Sequence, residues 1–354
     1  MKRNSDFMRH FMMQKATLAP KLAWQAITVE EHQAWRGRFG RRLRELVGRT
    51  PPRVPLQVDW VEKVETEAFT RHKLYIQSEQ DYWVPAYLFL PKRLRAAAPA
   101  VVCLHGHSGV YPYIREGNEK ERAKSAELEL DFAPHFAEHG YVTIAPVQRG
   151  WNETALSIDR NESGCQRMVL NSFLSGMTPI GLRCWDASRL VDFLQTLEAV
   201  DPLRIGVAGL SGGGMVALFW AALEPRIRLA MVAGYYCTFA DSIYSLYHCL
   251  CNCVPRMLEW GEMRDIAALI APRPLLIISG TKDPIFPIKA TRQAFSALKP
   301  VYDLLEAQPN LEKDFFNGPH AWSNRKTLAF LDKHFTMARY CPTKASSRRH
   351  KGRA

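Results

Sequence analysis

The sequence predicts an α/β fold in which a mostly parallel central sheet is flanked by helices. Three observations predict it: short apolar runs recur along the chain, segments with a helical apolar period separate them, and a glycine-rich turn follows one run. Near-continuous apolar strands alternating with helices are typical of a parallel sheet that is covered on both faces. The predicted parallel strands are residues 100–106, 141–147, 204–210, 229–235 and 273–280.

The segments before this sheet have a different character. Residues 21–50 carry apolar side chains at helical spacing, and PPRVP at 51–55 ends any helix. Residues 1–57 are therefore predicted to form a helical N-terminal extension. From Val58 the pattern becomes extended, and the segments VEKVETEAFTRHKLYIQ and WVPAYLFLPK predict an antiparallel pair of strands.

The main domain is predicted over residues 58–338, with one interruption. Residues 236–266 fit neither a regular strand nor one clean helix. We expect either a lid-like insertion that forms a pocket wall or a packed excursion without a ligand role. Residues 339–354 predict a basic, disordered tail.

The distribution of charge decides which partners to expect. The formal charge is +12 over 354 residues, but residues 1–60 contribute +7 and residues 339–354 contribute +6, so the remaining body is near neutral. This argues against a specific nucleic-acid groove, although the tail is suited to nonspecific anion binding. Apolar runs are too short to span a bilayer, so no membrane partner is predicted. The N-terminus lacks the pattern of a secretory signal, which predicts a cytoplasmic protein and leaves an organelle-targeting segment as the alternative.

Eight cysteines raise the question of a metal site. Cys249, Cys251 and Cys253 lie beside His248 in HCLCNCVP. Alternate residues of an extended chain point to opposite faces, and the sequence shows no second ligand cluster, so buried or half-buried thiols are favoured over a zinc site. We therefore expect no metal.

A candidate nucleophile lies in the glycine-rich turn. Residues 209–213 read GLSGG, which matches GxSxG, and they join a predicted strand to a predicted helix. Such a turn exposes the hydroxyl of its serine, here Ser211, and places the amide of Gly212 where it can stabilise an oxyanion. A phosphate-binding turn is the alternative, but GxxxxGK[ST] is absent from the sequence and the segment lacks GxGxxG followed by an acid at the end of the next strand.

A serine nucleophile needs a base and an acid that orients it. Asp283 follows the predicted strand LLIISG, and His320 lies in the loop DFFNGPHAW after the final strand. Serine, acid and histidine in that order are typical of one class of hydrolase fold. His334 falls in a predicted C-terminal helix and fits less well.

The remaining site predictions concern the oxyanion hole and the pocket. The loop CLHGHSGV after the first parallel strand predicts the amide of His107 as the second oxyanion donor, with Gly106 allowing a close approach of the backbone. Four aromatic residues near the predicted site are candidate pocket walls, with ordinary core packing as the alternative. They are Tyr235, Tyr236, Trp260 and Trp322.

With these residues in view, the chain resembles the α/β-hydrolase superfamily, in its dienelactone hydrolase-like and acetyl xylan esterase-like branch. The resemblance covers about residues 58–335 and rests on LHGHSG, GYVTIAP with RGW, DPLRIGVAGLSGGGMVAL, DIAALIAPRPLLIISGTKDPIFP and GPHAW. It implies a serine hydrolase without metal or organic cofactor, acting on carboxylic esters, with Ser211, Asp283 and His320 at the matching positions.

Two departures limit the resemblance. Dienelactone hydrolases proper use a cysteine nucleophile, which Ser211 excludes here. Relatives often carry APDxRG after the strand at 141–147, whereas this chain has Val147 and Gln148 before Arg149, so the acid is missing.

The predicted function is hydrolysis of a small-molecule carboxylic ester with a short acyl group, through an acyl-enzyme. A serine peptidase similar to prolyl oligopeptidase is one alternative, but the N-terminal extension is too short for the propeller of those enzymes. A non-catalytic binding protein with a hydrolase fold is the other alternative. The sequence leaves homo-oligomerisation open.

Overall fold

The protein is described by a computed structural model that covers residues 5–94, 96–156 and 163–337. Within these residues nine strands form one sheet: β1 (Val58–Glu65), β2 (Phe69–Glu79), β3 (Tyr82–Pro91), β4 (Ala98–Leu104), β5 (Val142–Pro146), β6 (Val200–Leu210), β7 (Ile227–Ala233), β8 (Leu275–Gly280) and β9 (Leu311–Phe316). Their order in the sheet is β1-β2-β3-β5-β4-β6-β7-β8-β9.

The predicted parallel sheet is confirmed. Strands β5, β4, β6, β7, β8 and β9 pair in parallel, while β1, β2 and β3 form an antiparallel edge that joins them through β5. The predicted antiparallel pair is in fact three strands, because the first segment turns back on itself. Thr66 closes that turn by hydrogen bonds with the backbone of Phe69, without the glycine, proline or asparagine that marks most turns.

Helices cover both faces of the sheet. They are α1 (Phe7–Lys15), α2 (Val29–Val47), α3 (Glu119–Glu127), α4 (Phe132–Glu138), α5 (Gly164–Leu174), α6 (Pro179–Leu194), α7 (Gly212–Leu223), α8 (Met257–Trp260), α9 (Met263–Ala268), α10 (Ile288–Leu304) and α11 (Thr327–Met337). Helices α2, α6, α7, α9 and α10 contribute to the larger apolar core on one face, and α4 and α11 contribute to the core on the other.

The N-terminal segment packs against the sheet domain. Helix α2 begins at the cap residue Thr28, whose hydroxyl accepts the N–H of Glu31. Its side chains Trp35, Phe39 and Leu43 are buried in the larger core. Helix α2 therefore shares the core of the sheet domain, whereas α1 buries none of its residues.

The predicted lid-like segment, residues 236–266, contains the short helix α8 and part of α9. The predicted basic tail, residues 339–354, lies outside the described residues. In the part of the chain that is described, no helix combines the length and apolarity needed to cross a bilayer.

Candidate active site

The sharp turn between β6 and α7 carries Ser211. The residue has φ 58° and ψ −118°, a strained conformation for a side chain other than glycine. Its N–H donates to the carbonyl of Ala233, 2.9 Å away on the neighbouring strand. The flanking glycines are required by close packing, since a Cβ on Gly209 would lie 2.2 Å from the carbonyl oxygen of Gly213, and one on Gly213 would lie 2.0 Å from that of Leu104.

Asp283 and His320 are brought together at the ends of β8 and β9. Nδ1 of His320 donates a hydrogen bond of 2.6 Å to Oδ2 of Asp283. The Asp283 side chain is fully buried, and its Oδ1 accepts the N–H groups of Ile285 and Phe286 at 3.0 Å each. The ring of Phe286 stacks on His320 with centroids 5.7 Å apart. The imidazole is thus held on two sides.

Ser211 and His320 line the same cavity, which has a volume of about 450 Å³. The His320 ring also lies against Gly234, where a Cβ would come within 2.9 Å of its Cε1 atom. The three residues predicted as nucleophile, base and acid therefore meet at the carboxyl edge of the sheet. Such an arrangement suits transfer of a proton from a hydroxyl to an imidazole that a carboxylate orients.

The loop after β4 lies directly against this turn. A Cβ on Gly106 would lie 3.2 Å from Cβ of Ser211, and a Cβ on Gly212 would lie 2.9 Å from Cε1 of His107. The two backbone segments predicted to supply oxyanion donors, at Gly212 and His107, are therefore adjacent.

His105 anchors that loop, a role that the sequence did not reveal. Its Nδ1 donates to the carbonyl of Gly106 at 2.7 Å, and its Nε2 accepts the N–H of Gln148 at 2.9 Å. Burial lowers the pKa of His105 to about 3, so the ring is neutral. Gln148 therefore fixes the loop beside the serine by hydrogen bonding to His105.

The aromatic residues predicted as pocket walls do not line the cavity. Tyr235 and Tyr236 are buried in the core, where the Tyr236 hydroxyl donates to the carbonyl of Ala294. Trp322 is buried on the opposite face, and Trp260 lies under the guanidinium of Arg42. Tyr235, Tyr236 and Trp322 point into packed layers, as in the alternative of ordinary core packing. Trp260 is only partly buried and belongs to neither core.

Other residues line the cavity. Those with apolar or aromatic surface are Tyr113, Leu128, Leu130, Leu210, Tyr247, Ile285 and Phe286. Those with polar groups are His107, Ser108, Lys124, Ser211, His248, Cys249, Asn252 and His320. Phe286 had a sequence signal, since it follows Asp283 by three residues in a turn. The others lie in segments whose approach to the site depends on tertiary packing.

A second group of reactive side chains lies next to the cavity. The imidazole of His107 and the thiols of Cys165, Cys249 and Cys251 bring their potential ligand atoms within 4.8 Å of one another. The expectation that Cys249 and Cys251 point apart is wrong, because residues Leu250–Asn252 form a 3-10 turn rather than an extended chain. His248 and Cys253 do not belong to this group; His248 instead pairs with Ser242.

The electrostatics of this group are unusual. Hydrogen bonds with Cys249 and Cys251 lower the pKa of the Cys165 thiol, and the nearby charge of Arg183 lowers it further. Burial lowers the pKa of His107, but hydrogen bonds with Cys165 and Cys249 outweigh it and raise the pKa to about 9.

The fold and this arrangement of residues define the α/β-hydrolase class. Residues 53–245 match the sequence profile of the family described as Acetyl xylan esterase (AXE1). The chain therefore belongs to the acetyl xylan esterase family, and it is an enzyme of the ester hydrolase class. The branch that its motifs resemble is thereby confirmed.

Individual relatives agree with this assignment. The chain is 27% identical over 275 residues to "Putative hydrolase YtaP" of Bacillus subtilis strain 168, covering 74% of this chain and 86% of that protein. A shorter stretch of 50 residues is 46% identical to a 4-O-methyl-glucuronoyl methylesterase of Podospora anserina, covering 13% of this chain and 10% of that protein.

Solved structures show the same fold at low sequence identity. A structure described as "a putative acetyl xylan esterase" from Bacteroides fragilis superposes with a TM-score of 0.73 at 15% identity, covering 89% of this chain and 83% of the other. A glucuronoyl esterase from Solibacter usitatus superposes with a TM-score of 0.65 at 17% identity, covering 92% and 97%.

Proposed function

We propose that the protein is a serine esterase that cleaves short-chain esters of small carbohydrate substrates, with Ser211 as nucleophile, His320 as base and Asp283 as the orienting acid. One observation carries this proposal. The buried carboxylate of Asp283 holds His320 by a 2.6 Å hydrogen bond, in a cavity that the strained Ser211 also lines.

The first chemical step forms an acyl-enzyme. Asp283 accepts a hydrogen bond from the Nδ1–H group of His320, which leaves Nε2 free to take the proton of the Ser211 hydroxyl. The Ser211 oxygen then bonds to the ester carbonyl carbon, and the carbonyl oxygen becomes an oxyanion. His320 returns the proton to the departing alkoxide, which leaves as the alcohol. In the second step His320 takes a proton from water, the hydroxide attacks the acyl carbon, and the acid is released as Ser211 regains its proton.

The amides of Gly212 and His107 are the proposed oxyanion donors. Gly212 opens α7, so its N–H belongs to the unpaired group at a helix N-terminus. His107 follows Gly106, whose backbone approaches Ser211 so closely that a Cβ on Gly106 would lie 3.2 Å from Cβ of Ser211. Two donors of this kind are each worth about 10²- to 10³-fold in turnover.

The character of the cavity supports a small, partly polar substrate. Tyr247 offers exposed aromatic surface of the kind on which a sugar ring packs, and Lys124 offers a hydrogen-bond donor. The volume of about 450 Å³ is at the small end of the range for ligand sites. Relatives named for acetyl xylan and glucuronoyl esters support a carbohydrate ester as the substrate class.

The test compares p-nitrophenyl esters from acetate to octanoate, using the unaltered chain and Ser211→Ala. We expect a preference for short acyl groups and a loss of about 10³-fold or more in kcat for Ser211→Ala. Ser296→Ala, on the exposed face of α10, is the matched control and should retain full activity.

Two further substrates separate the possible alcohols and acids. In acetylated xylo-oligosaccharides the sugar supplies the alcohol of the ester, whereas in a methyl ester of glucuronic acid the sugar supplies the acid. Preference for the acetylated sugar supports the proposal in full. Activity on neither substrate, with cleavage of peptide substrates instead, would replace it by the peptidase alternative, and inactivity on all of them would favour the binding-protein alternative.

A further inference from the structure

The group formed by His107, Cys165, Cys249 and Cys251 is not used by the proposed ester chemistry. Its members come from three separate parts of the chain: the loop after β4, helix α5, and the turn at Leu250–Asn252. His107 and Cys251 are 144 residues apart in sequence, yet Nε2 of His107 lies 3.3 Å from Sγ of Cys251. We propose that these four residues form a structural zinc site that fixes the loop beside Ser211 to the wall of the cavity.

The donor set selects the metal. Three thiols and one imidazole are the ligands of structural Cys₃His zinc sites, and no carboxylate belongs to the group, as hard cations such as Mg²⁺ and Ca²⁺ would require. Four protein ligands complete a tetrahedral shell and leave no open position for a catalytic water. The site is therefore structural.

The distances fit a tetrahedral ion. With Zn–S bonds of about 2.3 Å, the sulfur atoms of such a site lie about 3.8 Å apart. The ligand atoms of this group lie within 4.8 Å of one another, so they need to approach by no more than about 1 Å, which small side-chain rotations provide. One side of the site is shielded from water, because Cys165 and Cys251 are buried and packed with Val169 and Trp151. The other two ligands border the cavity.

Charge balance is supplied by a buried arginine. Three thiolates around Zn²⁺ carry a net charge of −1. Arg183 is 3% exposed, and its guanidinium donates to Sγ of Cys165 at 3.3 Å. It also interacts with the thiol of Cys251 and donates to the carbonyl of Arg149, which carries no formal charge. A zinc-thiolate group would give this buried cation its counter-charge, in the way that outer partners tune metal sites.

The position of the site gives it a consequence for activity. The ring of His107 covers Gly212, and the backbone of His107 is a proposed oxyanion donor. Residues Tyr247, Cys249 and Asn252 line the cavity. Zinc at this point would tie both sides of the cavity together, so its loss should lower kcat as well as the melting temperature. The metal site does not depend on the proposed ester chemistry, but this consequence does.

The test measures the metal directly. The full chain is produced with zinc in the medium under reducing conditions, and its zinc is determined by inductively coupled plasma mass spectrometry. We expect about one zinc per chain, and a fall of at least about tenfold in Cys165→Ser and in Cys251→Ser. Cys253→Ser is the matched control, since Cys253 lies in the same segment but outside the group, and it should retain its zinc. Ser211→Ala should also retain zinc while losing activity, which separates failure of the metal site from failure of the esterase.

A measurement on the unaltered chain makes the test independent of how the variants fold. Three thiols should be protected from a thiol reagent until a strong chelator is added, and Co²⁺ substitution should give thiolate-to-cobalt charge-transfer bands. A chain with no stoichiometric zinc would overturn the proposal. So would loss of two thiols with a two-dalton fall in mass, which shows a disulfide, or equal zinc in Cys251→Ser and Cys253→Ser.

Discussion

Nδ1 of His320 lies 2.6 Å from Oδ2 of Asp283, and the second oxygen of that carboxylate accepts two backbone N–H groups in the turn after β8. The carboxylate is therefore bound on both oxygens although its side chain has no solvent exposure. The backbone N–H groups fix the carboxylate of Asp283, and the carboxylate in turn fixes the imidazole of His320. Nε2 of His320 is therefore the ring nitrogen that is left to act as a base.

Replacing Asp283 by asparagine should separate orientation from folding. The asparagine side chain keeps an oxygen for the N–H groups of Ile285 and Phe286 but places an NH₂ group against His320, which favours the wrong tautomer. We expect kcat to fall by about 10³- to 10⁴-fold while KM changes little. The measurement is steady-state hydrolysis of p-nitrophenyl acetate.

Asp265→Asn provides the control for that experiment. Asp265 is also buried and also accepts two backbone N–H groups, from Trp24 and Glu262, but it lies in α9 away from the cavity. The Asp265→Asn variant should have a lower melting temperature than the unaltered chain, without a loss of kcat comparable to that of Asp283→Asn. Similar losses of kcat in both variants would show that Asp283 acts through stability alone.

Gly212→Ala should damage activity more than folding. The added Cβ would lie 2.9 Å from Cε1 and 3.0 Å from Nδ1 of His107, so the imidazole and the loop that carries it must move. Displacing one oxyanion donor costs about 10²- to 10³-fold in kcat. The check is kcat together with the free energy of unfolding in urea.

Gly213→Ala is the contrasting variant. Its Cβ would lie 2.0 Å from the carbonyl oxygen of Leu104, a backbone atom at the centre of the sheet that cannot turn aside. We expect a loss of about 1–3 kcal/mol in the free energy of unfolding. A larger loss in the free energy of unfolding for Gly212→Ala than for Gly213→Ala would contradict the packing of His107 on Gly212 that the structure shows.

Local patterns predict the sheet and the positions of Ser211, Asp283 and His320, because each follows directly from the end of a strand. A residue at the carboxyl end of a parallel strand is brought to one edge of the sheet whatever the rest of the chain does. The pocket wall is different. Tyr235 lies two residues after the end of β7, where a pocket residue is expected, but its side chain enters the core.

The cysteine group shows a second limit. Its ligand set is invisible in HCLCNCVP, because two of the four residues, His107 and Cys165, come from segments far away in sequence. The rule that alternate residues diverge fails where the chain turns at Leu250–Asn252. Spacing rules identify metal sites only when the ligands share a local element.

Arg149→Lys should destabilise the loop that supports the site. Arg149 forms two hydrogen bonds with Asp186, at 2.6 and 2.7 Å, pairs with Glu79, and stacks on Tyr82. Lysine keeps the positive charge, but it lacks the planar guanidinium that forms two parallel hydrogen bonds with a carboxylate and stacks on an aromatic ring. We expect a loss of about 2 kcal/mol in the free energy of unfolding, measured in urea.

Arg256→Lys is the control for the arginine geometry. Arg256 also pairs with a carboxylate, that of Glu259, but both side chains are exposed. Exposed pairs of this kind add little to stability, so the free energy of unfolding should not change measurably. Equal losses in the two variants would mean that the buried contacts of Arg149 do not matter.

The last prediction concerns the pH dependence of stability through His32, in α2. Burial lowers its pKa below the ordinary value of 6.5, and the nearby charge of Arg36 lowers it further. The indole N–H of Trp24 donates to Nδ1 of His32 at 3.1 Å. Protonation of His32 at Nδ1 would therefore point a second N–H at that of Trp24 and break the hydrogen bond. Below pH 6.5 the unfolded chain therefore binds a proton that the folded chain resists, and stability falls as the pH falls.

His32→Asn tests this contribution. Asparagine keeps an acceptor for Trp24 and removes the titration, so the variant should lose less stability than the unaltered chain between about pH 7 and pH 5. One proton accounts for at most about 1.4 kcal/mol per pH unit. The measurement is the free energy of unfolding in urea across that range, and parallel pH profiles for the two proteins would show that His32 titrates normally in the folded chain.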